Sequence, residues 1–336
     1  MDESRLRNHS ILITGANGFT GQHACRYFSG LGMRVTGMVR SPVMPDNRIQ
    51  GVNYVECDLL DREGVIELVR HLAPEFVLHL AGKNSVPESW REPVQYIESN
   101  ALAAIYLLDA LREFKNTVIL IAGSRLSFQP DDHPAPPHPY SLSKTIEHLS
   151  ALSWHALFGQ SILLAEPGNL IGPGPSTGFC SLLGRYIVAV ERGENPAPFR
   201  ISSREERRDF LDVRDAVSAY AWLLAYGRAG EKYPVCSGRE TTLEHSATVM
   251  LNLAKCPVPL QWGAGERSER LADPVKDSLT SADGKAGEPT PPLPARETAE
   301  TLPTGLSGWG WSPSYSLKAS AADILSYFRN QEVVVS

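Results

Sequence analysis

Residues 11–21 read Ile11-Leu12-Ile13-Thr14-Gly15-Ala16-Asn17-Gly18-Phe19-Thr20-Gly21. The order is a short apolar run, a turn holding two glycines, and a third glycine three residues later. This predicts a buried strand over 10–14, a tight turn, and a helix over 21–31. Glycine at 15 and 18 permits the turn and the close approach of a pyrophosphate. Glycine at 21 lets the helix pack on the strand. Backbone N–H groups and the helix N-terminus then face an anion. Gly15, Asn17, Gly18, Phe19, Thr20 and Gly21 are therefore expected to cradle a dinucleotide, the alternative being plain turn glycines.

Working outward, strand-like runs at 34–39, 52–57, 76–81, 117–122 and 161–166 alternate with helix-like runs at 62–72, 93–114 and 140–157. Continuous apolar strands separated by helices imply a parallel sheet covered on both faces. The expected fold is a Rossmann-type doubly wound α/β sheet with a smaller C-terminal substrate-binding lobe. Residues 1–166 are mainly the cofactor-binding domain, and 167–336 mainly the lobe, interleaved with the sheet. Gly- and Pro-rich turns are expected at 168–178, a helix at 182–192, a charged loop at 202–208 and a helix at 318–329. Residues 264–308 are rich in Pro, Gly, Ser, Thr and Glu, which predicts a flexible surface segment, or else a lid that orders on substrate.

The chain has 336 residues, 42% hydrophobic and 21% charged, which is ordinary globular composition. Its net charge is −6, with 32 Lys+Arg against 38 Asp+Glu, so no basic surplus points to nucleic acid. The cysteines at 25, 57, 180, 236 and 256 are scattered, without a C-x-x-C pair, so neither a disulfide framework nor a metal site is expected. No uncharged apolar run reaches about 18 residues, so no membrane span is expected. The charged N-terminus does not read as a signal peptide. A cytoplasmic protein is the expectation.

The end of the second strand should select the cofactor. It reads Gly37-Met38-Val39-Arg40-Ser41, with no acidic residue to accept the ribose 2′-hydroxyl. Arg40 suits a 2′-phosphate, which favours NADP(H) over NAD(H). Asp58 and Leu59, after the third strand, are placed to meet the adenine. Leu80, Ala81, Gly82 and Lys83, after the fourth, should border the cofactor's middle.

Tyr140-Ser-Leu-Ser-Lys144 puts a phenol and an ammonium four apart on one helix face. The ammonium favours the phenolate, so the phenol can exchange a proton with a carbonyl or alcohol oxygen near neutral pH. The lysine can also hold the nicotinamide ribose. Ser124 lies 16 residues before Tyr140, at the end of a predicted strand, and its hydroxyl can bond the reacting oxygen. Ser124, Tyr140 and Lys144 are the expected catalytic set.

Together these stretches resemble the extended short-chain dehydrogenase/reductase family, in its nucleotide-sugar branch. Supporting segments are His79–Trp90, Asn169–Gly174, Arg208–Asp215 and Tyr233–Gly238. Within that branch they are most similar to GDP-4-keto-6-deoxy-D-mannose reductases and GDP-mannose 4,6-dehydratases. The resemblance implies Tyr140 as acid/base, Lys144 as its partner and Ser124 as carbonyl orienter. It further implies Pro167 at the cofactor, and Ser85, Asn169, Arg208 and Arg267 at a nucleotide-sugar substrate. It also implies a homodimer built through a four-helix bundle.

A 4,6-dehydratase of this family carries an Asp or Ser and a Glu directly after the catalytic Ser or Thr, where this chain has Arg125 and Leu126. With Arg40 arguing for a dissociable NADPH, the expected reaction is reduction of the C4 ketone of a nucleotide-activated 4-keto-6-deoxyhexose. A 4-epimerase or 4,6-dehydratase with bound NAD, and a non-catalytic NADP(H) sensor, remain the alternatives.

Overall fold

Ser10–Thr14 forms strand β1, buried from Ile11 to Thr14. It lies between β2 (Arg34–Val39) and β4 (Phe76–His79) and is parallel to both. With β3 (Val52–Glu56), β5 (Val118–Ala122), β6 (Ser161–Pro167) and β10 (Lys232–Val235) it builds a seven-stranded sheet. The strand order is β3-β2-β1-β4-β5-β6-β10, and every pairing is parallel. The computed structural model describes residues 3–44, 48–130, 135–263, 306 and 310–331.

Side chains alternate between two apolar layers, as a sheet covered on both faces requires. Ile11, Ile13, Leu78, Leu120 and Leu163 face Ala24 and Phe28 of α1 (Phe19–Gly30) and Val217, Tyr220 and Leu223 of α8 (Val213–Tyr226). Leu12, Val77, Ile119, Ile121 and Leu164 face the opposite layer. That layer holds Val65 and Val69 of α2 (Arg62–Leu72), Leu107 of α5 (Ala103–Ala110) and Ala151 of α6 (Pro139–Phe158). The doubly wound sheet is thus as expected.

A third cluster lies beyond residue 167. Strands β7 (Asn169–Ile171), β9 (Arg207–Asp212) and β11 (Glu240–Thr242) form one small sheet, and β8 (Phe199–Ile201) pairs with β12 (Leu260–Trp262). Three helices, α7 (Phe179–Glu191), α9 (Leu243–Leu251) and α10 (Leu317–Asn330), bury Leu183, Ile187, Met250, Ile324 and Phe328 against Ile171 and Phe210.

Three local expectations are corrected. The run 93–114 is not one regular helix: α4 (Pro93–Tyr96) passes into a π-helical stretch, Ile97–Leu102, before α5. The wider turn directs Asn100 inward, where its Oδ1 accepts from the Lys83 N–H at 2.7 Å and its Nδ2 donates to the Ser143 hydroxyl at 2.8 Å. β4 stops at His79 rather than continuing to Ala81, because the Leu80 and Ala81 N–H groups turn to the Thr14 hydroxyl, at 3.1 and 3.2 Å. The charged loop at 202–208 gives up its last two residues to β9, where Arg207 and Arg208 pair with Thr242 and Thr241. The segment 264–308, Leu306 excepted, lies outside the described residues.

Gly21 illustrates how tightly β1, the turn and α1 are packed. A Cβ there would lie 2.1 Å from the Gly15 carbonyl oxygen and 2.8 Å from the Ala16 Cα, both backbone atoms. Gly21→Ala should therefore destabilise the protein by about 1–3 kcal/mol, despite alanine's better helix propensity. Thermal melting should show a drop of several degrees; an unchanged or raised midpoint would contradict the packing described.

Candidate active site

Thr14 of β1 and His79 of β4 are register partners where the strand order reverses, the place at which open α/β sheets bind ligands. The predicted residues gather on the loops leaving the carboxyl ends of these strands. Gly15 has φ +65°, and a Cβ there would lie 2.9 Å from the Ala81 backbone. A side chain would fill the space between the two loops. Gly18 is the N-cap of α1, and no side chain caps that helix among the described residues. The first turn of α1 therefore suits an anion. A cofactor pyrophosphate fits this cradle.

Arg40 is exposed just past β2, open to an anionic ligand. After β3, Asp58 is exposed and Leu59 buried; Asp58 Oδ1 accepts from the Leu60 N–H at 3.0 Å. Lys83 presents only its backbone to the loop. Its ammonium is held by Glu88 at 2.9 Å, Glu92 at 3.0 Å and the Gln95 side-chain Oε1 at 2.9 Å. Ser85 caps α3 (Val86–Arg91), its hydroxyl accepting from the Glu88 N–H. Pro167 ends β6 beside Val235 of β10.

Helix α6 organises the catalytic candidates in two stripes. Tyr140, Lys144 and Glu147 follow one line of helical spacing, and Ser141, Thr145 and His148 the next. The second stripe staples the loop after β5 to the helix. The Ser141 hydroxyl donates to the Leu126 carbonyl at 2.6 Å. Thr145 accepts from the Phe128 N–H at 2.9 Å, and His148 Nε2 accepts from the Ser124 N–H at 3.3 Å. A Cβ at Gly123 would meet that imidazole at 1.8 Å, so glycine is required beside it. Ser124 is thereby held against the helix that carries Tyr140 and Lys144. Its Oγ accepts from the Leu126 N–H at 3.1 Å, which leaves the hydroxyl proton to donate.

Lys144 Nζ donates to Glu147 Oε2 at 2.8 Å and to the Ala122 carbonyl at 3.2 Å. Burial opposes its charge, but the Glu147 carboxylate and then Tyr140 outweigh that and hold the ammonium above its ordinary range. Tyr140 is buried, its ring edge-on to Tyr96 and stacked on His138.

On β7 and β9, the Asn169 amide donates to the Asp209 carbonyl at 3.1 Å, and the Arg208 guanidinium grips Glu206 at 2.6 and 2.8 Å. A diphosphate at Arg208 would exchange with that carboxylate. Arg267 lies outside the described residues.

The sequence reading did not find Thr14, Asn100, Ser141, Thr145, Glu147 or His148. On α6 the polar side chains repeat at i, i+4 and i+7 in two adjacent stripes, a periodicity that by itself marks a solvent face.

Burial, followed by the Lys144 and Lys232 charges, pushes the His148 imidazole down to about 3. In the unfolded chain it would titrate near about 6.5, so unfolding takes up a proton as pH falls below that value. His148 should therefore cost stability on acidification. The stability advantage of wild type over His148→Gln should shrink by about 2 kcal/mol between pH 7 and 5. Urea unfolding of both proteins at the two pH values measures this; an unchanged difference would contradict a buried neutral imidazole.

Residues 11–236 match the family model described as NAD dependent epimerase/dehydratase family. Over 257 residues the chain is 32% identical to a GDP-6-deoxy-D-mannose reductase of Pseudomonas aeruginosa, covering 73% of this chain and 80% of that protein. Its structure is similar to RMD from Pseudomonas aeruginosa complexed with NADPH, with TM-score 0.70 and 26% identity over 96% of this chain and 99% of that one. It shares its fold with a UDP-glucose 4-epimerase of Thermus thermophilus in complex with NAD, with TM-score 0.73 and 21% identity over 96% of this chain and 99% of that one. The chain belongs to the NAD dependent epimerase/dehydratase family, as the resemblance of its motifs implied.

Proposed function

We propose that the protein is an NADPH-dependent reductase acting on the C4 ketone of a nucleotide-activated 4-keto-6-deoxyhexose, such as GDP-4-keto-6-deoxymannose. The observation that carries the reading is the Tyr140–Lys144 pair on α6 beside Ser124, in a chain whose next residues, Arg125 and Leu126, offer no carboxylate for dehydration. The similarity to a GDP-6-deoxy-D-mannose reductase supports it. Arg40, with no acid at the end of β2, supports NADP(H) over NAD(H).

In this reading Gly15–Gly21 and the α1 N-terminus hold the pyrophosphate, and Arg40 the 2′-phosphate. Asp58, Leu59, Leu80, Ala81, Gly82, the Lys83 backbone and Pro167 border the rest of the cofactor. The bound nicotinamide supplies the hydride. Ser124 donates its free hydroxyl proton as a hydrogen bond to the ketone oxygen and fixes its position. Tyr140 delivers its phenolic proton to that oxygen as negative charge develops. Lys144 stabilises the phenolate that remains and can bond the nicotinamide ribose. Ser85, Asn169, Arg208 and Arg267 are assigned to the sugar nucleotide, with Arg208 releasing Glu206 to take the diphosphate. Orientation of ketone and cofactor contributes most of the acceleration.

By the family resemblance, the working form is a homodimer joined through a four-helix bundle. No described helix is long and apolar enough to cross a membrane.

Cofactor oxidation followed at the nicotinamide absorbance tests the reading. Purified protein is offered NADPH or NADH with a panel of nucleotide 4-keto-6-deoxyhexoses. NADPH should be oxidised with the GDP-sugar, and Tyr140→Phe should lower kcat by about 100-fold or more. Arg40→Ala should raise KM for NADPH and leave that for NADH little changed. Cofactor binding without oxidation by any keto-sugar would overturn the reductase reading in favour of an epimerase or a sensor.

A further inference from the structure

Glu147 is a wholly buried carboxylate that the reaction just proposed does not use. Oε2 receives the Lys144 ammonium at 2.8 Å. Oε1 has no hydrogen-bond partner among the described residues and faces His79 Nε2 at 3.9 Å; that nitrogen is unpartnered too. His79 is fully buried, and its Nδ1 lies 2.9 Å from the Thr14 hydroxyl. Thr14 Oγ1 already accepts from the Leu80 and Ala81 N–H groups. Its own proton is therefore left for Nδ1, which puts the hydrogen of the neutral imidazole on Nε2, aimed at Glu147. Burial and then the Lys144 charge push His79 down to about 3, in keeping with a neutral ring.

The line Thr14–His79–Glu147–Lys144–Tyr140 joins the strand that enters the phosphate cradle to the proposed proton donor. Removing a carboxylate from water is costly, and an apolar side chain of similar size would fill the space at less expense. Lys144 Nζ carries three hydrogens, and Ala122 O and Glu147 Oε2 take two of them. The third is left for the phenol or for a ribose hydroxyl. Tyr140, Glu147, His79 and His148 are the titratable groups that act on or face this ammonium.

We propose that Glu147 is a positioning residue: it keeps Lys144 charged and aimed at Tyr140, and is itself oriented by the His79–Thr14 pair. This rests on the reading of Tyr140 and Lys144 as the proton-transfer pair, and it adds a residue outside the recognised triplet. Without the carboxylate, burial dominates at Lys144 and the ammonium loses its proton at lower pH.

The test uses the full chain with 13Cε-labelled lysine, the Lys144 signal being assigned by its absence in Lys144→Arg. Glu147→Gln keeps the shape, and Glu147→Leu, which leaves no polar atom unpaired on the glutamate side, guards against a folding defect in the first variant. In both, Lys144 should titrate at a pH lower by about one or more than in wild type. At neutral pH kcat should fall at least about tenfold, with NADPH affinity, read by fluorescence quenching, changed less than about threefold. An unchanged Lys144 titration in either folded variant would overturn the proposal, whatever happened to the rate. The titration needs no substrate. A wild type that reduces no keto-sugar yet shows the Lys144 shift in its variants would therefore refute the reductase reading while upholding the role of Glu147.

Discussion

The buried ion pair between Lys144 and Glu147 is the constraint on which the candidate site depends. Two charges removed from water are retained in a protein only where geometry and further hydrogen bonds compensate them, and losing one partner costs about 3–5 kcal/mol. Here Ala122, at the end of β5, accepts from the ammonium, while His79, at the end of β4, faces the carboxylate. The pair thus fixes α6 against two strand ends. It also settles where positive charge sits beside Tyr140. Stability and proposed chemistry draw on the same atoms, so substitutions here should seldom affect one without the other.

The sheet provides the frame for this arrangement. Met38, Thr14, His79, Ile121 and Leu164 are successive register partners across β2, β1, β4, β5 and β6. Strand ends aligned at one level deliver the cradle, the Leu80–Lys83 turn and the Ser124 loop to a common edge. Close approach then sets residue choice: Gly15 lies against the Ala81 backbone, Gly21 against the Gly15 carbonyl, and Gly123 against His148. The π-helical turn at Asn100 belongs to the same economy of space, since it lets one amide bind both the Lys83 backbone and Ser143 of α6.

Much of this could be read from the amino-acid order. The strands at 10–14 and 34–39 and the helix at 62–72 have the expected limits, because apolar residues at strand or helix spacing are local signals. The Gly-rich turn and Tyr140–Lys144 were visible as motifs. Non-local bonds were not. Thr14 ends β4 by binding residues 66 and 67 positions away, and Asn100 forms its bonds across 17 and 43 positions. The ion pairs of the Lys83 ammonium with Glu88 and Glu92, which follow it on neighbouring helical turns, were not read either. Glu147 and His148 were hidden for a different reason. Charged and polar residues on a helix usually mark its solvent face, and only the tertiary packing reveals that this face lies inside.

The central claim is that these buried groups serve net hydride transfer to a sugar ketone. Reduction of GDP-4-keto-6-deoxymannose with NADPH carrying deuterium at both C4 positions of the nicotinamide, followed by mass spectrometry and nuclear magnetic resonance of the sugar, tests it most directly. The account predicts one deuterium per product molecule, located at C4, with stoichiometric NADP+. A converted sugar without the label, or label-free interconversion of C4 epimers with no net cofactor consumption, would contradict it.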